Sequence, residues 1–115
     1  MTPSPRRDTS VSRTRPDPAG TVTALMPQLA DELARLVAIP GISAWDFPEE
    51  TRPALVECYE ALLPLLRDAG VQKLDALELP NTAPVLTGEI PAPAGAPSVL
   101  LYGHYDVVAA GDEEK

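Results

Sequence analysis

The chain contains a single histidine, His104, and an aspartate, Asp106, follows it two positions later in SVLLYGHYDVV. In extended backbone, residues i and i+2 project from the same face about 7 Å apart at Cα, so this carboxylate can reach the imidazole. A zinc-binding histidine gives one ring nitrogen to the metal and donates its other N–H to a carboxylate, which fixes the tautomer and holds the ring. Gly103, which has no side chain, lets a ligand or backbone approach beside the histidine. The two residues are therefore of the types expected for a metal-binding histidine and the carboxylate that orients it.

Two other interpretations of these residues stay open. A lone histidine near a strand end is often a structural residue that hydrogen-bonds its neighbours, and His-x-Asp also occurs by chance. The run VLLYGH could be the strand before the oxyanion loop of an α/β-hydrolase, but Tyr105 stands where that loop has Gly, so the fit is poor. Cys58 lies on a predicted apolar helix face, which favours packing over reactivity or metal binding.

The elements before this motif would place it at a ligand crevice. Residues 99–102 form a continuous apolar run, typical of a strand buried on both faces. His104 would then lie at the carboxyl end of a buried strand, where open α/β sheets bind ligands. Further upstream, apolar residues at helical spacing predict a helix over 24–38, and Pro40-Gly41 ends it. These apolar residues are Leu25, Leu29, Leu33, Leu36 and Val37.

A second helix and a strand pair are predicted between these elements. The helix begins after Asp46, which is expected to cap it, and it stops at Gly70, with Pro64 expected to kink it near Glu60. Residues 71–79 and 83–90 are predicted to pair as antiparallel strands around the turn at Pro80-Asn81. Two helices followed by a mixed sheet indicate an α/β fold.

Composition limits the compartment and the partners. Residues 1–20 carry four Pro and four Arg with little apolar surface, so a disordered tail is predicted there. The tail has net charge +2, which leaves −10 on residues 21–115 and argues against nucleic acid as a partner. No apolar run approaches the roughly 20 residues of a membrane span, and one cysteine makes no internal disulfide, so no membrane partner and a cytoplasmic location are expected.

Three stretches together resemble one enzyme family. VLLYGHYDVV, LVAIPGIS at the end of the first helix and APVLTGEI before the Pro-rich link resemble the amino-terminal part of the zinc-dependent metallopeptidases and deacylases. This family includes carnosinase-like dipeptidases, aminoacylases, acetylornithine deacetylase and succinyl-diaminopimelate desuccinylase. The resemblance covers residues 24–115, and it implies that 21–115 are the amino-terminal portion of an incomplete metallopeptidase catalytic domain.

The resemblance assigns roles to two residues of this chain. His104 becomes a ligand of one of two bridged zinc ions, and Asp106 becomes the catalytic-site carboxylate that orients it. The family's bridging aspartate, its Glu-Glu pair and its remaining ligands would all follow Lys115. The chain departs from the family at Ala109, where proline is usual.

The family's chemistry is hydrolysis of the amide bond of dipeptides or N-acyl amino acids. Two zinc ions polarise the carbonyl and activate a shared water, while a glutamate moves the proton to the leaving amine. Catalytic zinc sites take about three protein ligands per metal, so this chain alone is expected to be an inactive fragment of the enzyme. Many family members are homodimers, and a homodimer is expected for the full-length protein.

The competing hypothesis is a non-catalytic chain, either truncated or an interaction module, in which the His104–Asp106 pair is structural. Under both hypotheses about 90 ordered residues cannot surround a strand buried on both faces. Exposed apolar sheet edges, marginal stability and self-association are therefore expected.

Overall fold

The computed structural model describes residues 15–111 and contains two helices and two strands. In chain order these are α1 (Pro18–Ala38), α2 (Arg52–Asp68), β1 (Gln72–Leu77) and β2 (Val85–Glu89). Helices followed by a sheet confirm the predicted α/β class. Most of the predicted tail, residues 1–14, lies outside the described residues, as do residues 112–115. Within 15–111, no helix has the length and apolarity that crossing a membrane requires.

Helix α1 begins at Pro18, six residues before the predicted start. Asp17 is its N-cap, and the Asp17 side chain accepts a hydrogen bond from the Gly20 N–H at 3.0 Å. Pro18 at the first helical position is favourable because its missing N–H would have no intrahelical partner there. The three residues 18–20, predicted as tail, therefore belong to the helix. Pro27 lies inside α1, where it removes one backbone hydrogen bond.

Helix α2 begins later than predicted, and the expected cap at Asp46 is wrong. The N-cap is Thr51, whose side chain makes no capping hydrogen bond. Asp46 and Phe47 instead have positive φ values of 66° and 47°, so the chain turns there before the helix starts. The predicted stop is confirmed, because Gly70 follows α2 with a φ of 90° that suits glycine.

The predicted hairpin is confirmed. Strands β1 and β2 pair antiparallel, with Asp75 opposite Thr87 and Leu77 opposite Val85, and the register is irregular between Gln72 and Asp75. Lys73 lies in this irregular part with a φ of 49°, and its ammonium pairs with Glu89 at 2.8 Å.

Burial is concentrated on one face of α2. Among the described residues, Leu55 and Cys58 are the buried hydrophobic side chains, with 2% and 1% of their surface exposed. Cys58 lies on the apolar helix face that the sequence predicts, so packing as its role agrees with the structure. By contrast, the stripe of α1 is largely exposed, including Leu25, Leu29 and Leu33.

The predicted buried strand over 99–102 does not form. These four residues have no strand assignment, and their exposed fractions range from 78% to 94%. The physical reason is that a strand requires a hydrogen-bonded neighbour, and within residues 15–111 no neighbour lies beside them. Pairing near this segment is limited to one parallel bridge, between Ile42 and Val107.

Candidate functional site

The loop after α1 lies against the segment that carries the histidine. The Val107 N–H donates to the Gly41 carbonyl at 2.9 Å, next to the parallel bridge between Ile42 and Val107. Gly41 is buried and packs on α2, since a Cβ built on it would lie 2.5 Å from Cys58 Sγ. The loop after α1 and the histidine segment, which are far apart in sequence, are thereby joined to the buried face of α2.

The structure brings His104 and Asp106 together. The His104 Nδ1–H donates to Asp106 Oδ1 at 2.8 Å and lies 3.1 Å from the backbone carbonyl oxygen of Asp106. Two acceptors at Nδ1 favour the tautomer with its proton on that nitrogen, which leaves the lone pair on Nε2. The His104 side chain is 70% exposed and that of Asp106 35%. Nε2 thus belongs to a solvent-accessible ring whose other nitrogen is held.

A third residue, Ser43, completes the arrangement. Its hydroxyl donates to Asp106 Oδ2, so the two carboxylate oxygens have different partners. The Ser43 hydrogen bond is the largest cause that lowers the pKa of the Asp106 carboxyl; desolvation opposes it, and the His104 hydrogen bond adds to the lowering. Asp106 is therefore held in its anionic form, which is the form that accepts from both neighbours.

Ser43 is a residue that the sequence did not identify. The hydrogen bond spans 63 positions of the chain, and no local pattern indicates it. Ser43 lies one residue after Ile42, in the IPGIS stretch quoted for the resemblance, so the one available signal was that this stretch resembled the family along with the histidine motif. Neither stretch alone indicates a contact between them.

Tyr105, between the two predicted site residues, anchors the segment to another loop. Its hydroxyl donates to the Pro84 carbonyl at 2.5 Å, and burial is the main cause that raises the pKa of its phenol. Gly103 has open space around it, because a Cβ built there would meet no atom of residues 15–111 within 4 Å. The close approach predicted at Gly103 is thus not made by the described part of the chain.

The described residues do not form a complete zinc site. In residues 15–111, no three His, Cys, Asp or Glu side chains come together in a way that could hold a metal ion. Cys58 is buried, and its burial raises the pKa of the thiol, which disfavours the thiolate that metals bind. Catalytic zinc sites take about three protein ligands. The imidazole fits one of those positions, and the roles predicted for His104 and Asp106 stay predictions.

A cleft opens beside Ser43. It has a volume of about 500 Å³ and is bounded by the turn before α2, the side chain of Leu55 and the turn between the strands. Its lining combines aromatic and small polar side chains, including Trp45, Phe47, Asn81 and Thr82. Ser43 therefore contacts both the Asp106 carboxylate and the edge of a cavity of the size that small ligands occupy.

Comparison with known proteins indicates a distant relationship to metallopeptidases. The chain is 29% identical over 101 residues to the Cys-Gly metallodipeptidase DUG1 of Candida albicans. The match covers 78% of this chain and 20% of the relative, so the chain spans about a fifth of the length of the curated protein it matches. No family model matches the chain. No solved structure matches it either.

Proposed function

We propose that this chain is the amino-terminal portion of a zinc-dependent peptidase or amidohydrolase that hydrolyses the amide bond of dipeptides or N-acyl amino acids. The observation that carries the proposal is the geometry of His104: Nδ1 donates to the Asp106 carboxylate at 2.8 Å, and Nε2 is the nitrogen left for a cation. The similarity to a metallodipeptidase supports the same class of chemistry.

The other ligands and the general base belong, in this proposal, to a longer polypeptide. One imidazole is too few for a catalytic zinc, and the matched relative is about five times as long as the aligned part. When bound, a pair of zinc ions would polarise the scissile carbonyl and activate a water. The contribution of the described residues is to hold one ligand in position, so residues 1–115 alone are not expected to hydrolyse peptides.

The cleft beside Ser43 supports a small substrate. A volume of about 500 Å³ can receive the side chain of one residue of a dipeptide, and the wall mixes aromatic with amide and hydroxyl groups. We propose a cytoplasmic location, because Cys58, the single cysteine, is free and its packing needs no oxidising compartment.

A chimera tests the proposal. The fifth of the Candida metallodipeptidase that aligns with this chain is replaced by the chain, and zinc content and hydrolysis of Cys-Gly are measured. The expected result is zinc-dependent hydrolysis that His104→Ala abolishes, with bound zinc reduced. Lys73→Ala, which removes an exposed ion pair in the hairpin, is the matched control and should leave both values unchanged. A His104→Ala chimera with full zinc and full activity would overturn the assignment.

A second measurement covers the case in which the chimera does not fold. A large excess of Zn²⁺ is added to the 115-residue chain, because a single imidazole binds the metal weakly, and the ¹⁵N signals of the His104 ring are recorded. The proposal expects the metal to perturb Nε2 and to leave the Nδ1–H in place. Loss of the Nδ1 proton to the metal, with Nε2 unaffected, would contradict it.

A further inference from the structure

We infer that Ser43 is a positioning residue for His104 and acts through the carboxylate of Asp106. The inference deepens the proposed function and rests on it for the meaning of the positioned ring, since a held imidazole matters most if it is a metal ligand. Its geometric basis is independent of that function. Two hydrogen bonds link three residues in sequence: the Ser43 hydroxyl donates to the Asp106 carboxylate, which accepts from the His104 imidazole.

The first step concerns the carboxylate. The outer torsion of an aspartate side chain has a broad, roughly two-fold preference and is not fixed by staggering. In this structure Asp106 Oδ1 faces His104 Nδ1 while Oδ2 accepts from the Ser43 hydroxyl. Because the two oxygens have different partners, a quarter-turn of the carboxylate breaks both hydrogen bonds. Removing the hydroxyl leaves one oxygen of a 35% exposed side chain to water.

The second step concerns what holds Ser43. Its neighbour Ile42 bridges to Val107, and Gly41 accepts the Val107 N–H at 2.9 Å. Gly41 in turn packs on Cys58, one of the two buried side chains of the described residues. The hydroxyl is therefore attached to backbone that the core of the molecule fixes. An imidazole that is itself 70% exposed takes its orientation from that core.

The third step concerns the alternative partner of the ring. The backbone carbonyl oxygen of Asp106 lies 3.1 Å from Nδ1, slightly farther than the carboxylate oxygen at 2.8 Å. If the carboxylate turns away, this carbonyl is the remaining acceptor at Nδ1. The carboxylate is charged and the carbonyl is neutral, so the preference for a proton on Nδ1 then weakens by about tenfold, the lower end of the range expected for a hydrogen bond to a charged group.

The experiment is ¹⁵N spectroscopy of the 115-residue chain at a pH at which imidazoles are neutral. Since the sequence contains one histidine, the ring signals need no assignment. The ratio of the Nδ1–H to the Nε2–H tautomer is measured in the unsubstituted chain and in Ser43→Ala, Ser43→Thr and Ser98→Ala. Ser98 is an exposed serine outside the helices and strands and is the matched control.

The inference expects Nδ1–H to dominate in the unsubstituted chain and the ratio to fall about tenfold in Ser43→Ala. Ser43→Thr keeps a hydroxyl and should restore the ratio, and Ser98→Ala should not change it. An unchanged ratio in Ser43→Ala overturns the inference. So does a fall that is accompanied by loss of protection at the Val107 amide and is not rescued by threonine, because the loop rather than the hydroxyl would then be responsible.

The two proposals fail in different measurements. If Ser43→Ala changes the tautomer ratio but His104→Ala leaves zinc and hydrolysis of the chimera intact, Ser43 positions the ring and the metallopeptidase function is wrong. If His104→Ala abolishes zinc binding in the chimera and the tautomer ratio is the same in Ser43→Ala as in the unsubstituted chain, the function stands and the positioning role is wrong.

Discussion

At the scale of single residues, Tyr105 ties the histidine segment to the loop before β2. Its hydroxyl donates to the Pro84 carbonyl at 2.5 Å, and burial, the largest cause, raises the pKa of the phenol. Because the folded pKa lies above the unfolded value of about 10, the stability that this group contributes is complete below pH 10 and is lost as the pH rises through the raised value.

We therefore expect Tyr105→Phe to remove the component of the tyrosinate absorbance titration that appears above pH 10. The measurement is the difference at 295 nm between the unsubstituted chain and the variant. The ring is retained, so the loss reports the hydroxyl and not the packing. A missing component centred at or below pH 10 would contradict the burial of the Tyr105 phenol.

A second residue, Gly41, is expected to tolerate no side chain. A Cβ there would lie 2.5 Å from Cys58 Sγ, and Cys58 is 1% exposed, so the sulfur has little space into which it can move. Gly41→Ala should lower the free energy of unfolding by about 1–3 kcal/mol, as overpacking does. Urea denaturation followed by circular dichroism measures this.

Gly103→Ala is the matched control for that experiment, because a Cβ at Gly103 meets no described atom within 4 Å. The variant should unfold at the same urea concentration as the unsubstituted chain. In addition, Cys58→Ala combined with Gly41→Ala should recover part of the loss, since it removes the sulfur. If the two glycine variants were equally stable, the seating of the loop on α2 would be wrong.

At the scale of elements, α1 depends on its cap more than on packing. None of its residues is buried, and Asp17 accepts from the Gly20 N–H at 3.0 Å. Asp17→Ala should destabilise the first turn by about 1 kcal/mol, whereas Asp17→Asn keeps an acceptor and should cost less. Hydrogen exchange at the Gly20 amide is the direct measurement. Equal exchange rates in the two variants would show that the side chain does not cap the helix.

The sequence predicts elements whose causes are local. The stop at Gly70 and the hairpin follow from residues a few positions apart, and the structure confirms them. The start of α1 at Pro18 was not predicted, because it depends on the cap at Asp17 whereas the prediction rested on the apolar residues from Leu25 onward. The strand over 99–102 was wrong because an apolar run reports the need for burial and not the presence of a neighbour. The site shows the same difference between local and distant contacts. His104 and Asp106 are two residues apart and were predicted to meet, whereas the contact of Ser43 with Asp106 spans 63 positions and is seen only in the structure.

At the scale of the whole molecule, the described residues leave much apolar surface in water. The radius of gyration is 22.2 Å, whereas about 13 Å is typical of a compact domain of this length. Large apolar side chains are exposed on α1 and along 99–102, including Leu33, Val37, Leu100 and Leu101. Large exposed apolar side chains are typical of surfaces that interact with other protein surfaces when they lie together in patches.

The enthalpy of thermal unfolding can test how much of this apolar surface is exposed to solvent. Domains that bury their side chains unfold with an enthalpy of about 0.7 kcal/mol per residue near 60 °C, or about 70 kcal/mol for residues 15–111. With Leu55 and Cys58 as the buried side chains of the described residues, we expect a broad transition with less than half that enthalpy at low protein concentration. Differential scanning calorimetry at several concentrations provides the measurement.

If the enthalpy approaches the full value only as the concentration rises, copies of the chain cover each other's apolar surfaces, as the exposed face of α1 permits. A sharp transition of about 70 kcal/mol that is independent of concentration would mean that each chain buries these side chains by itself, and the extended arrangement would be wrong.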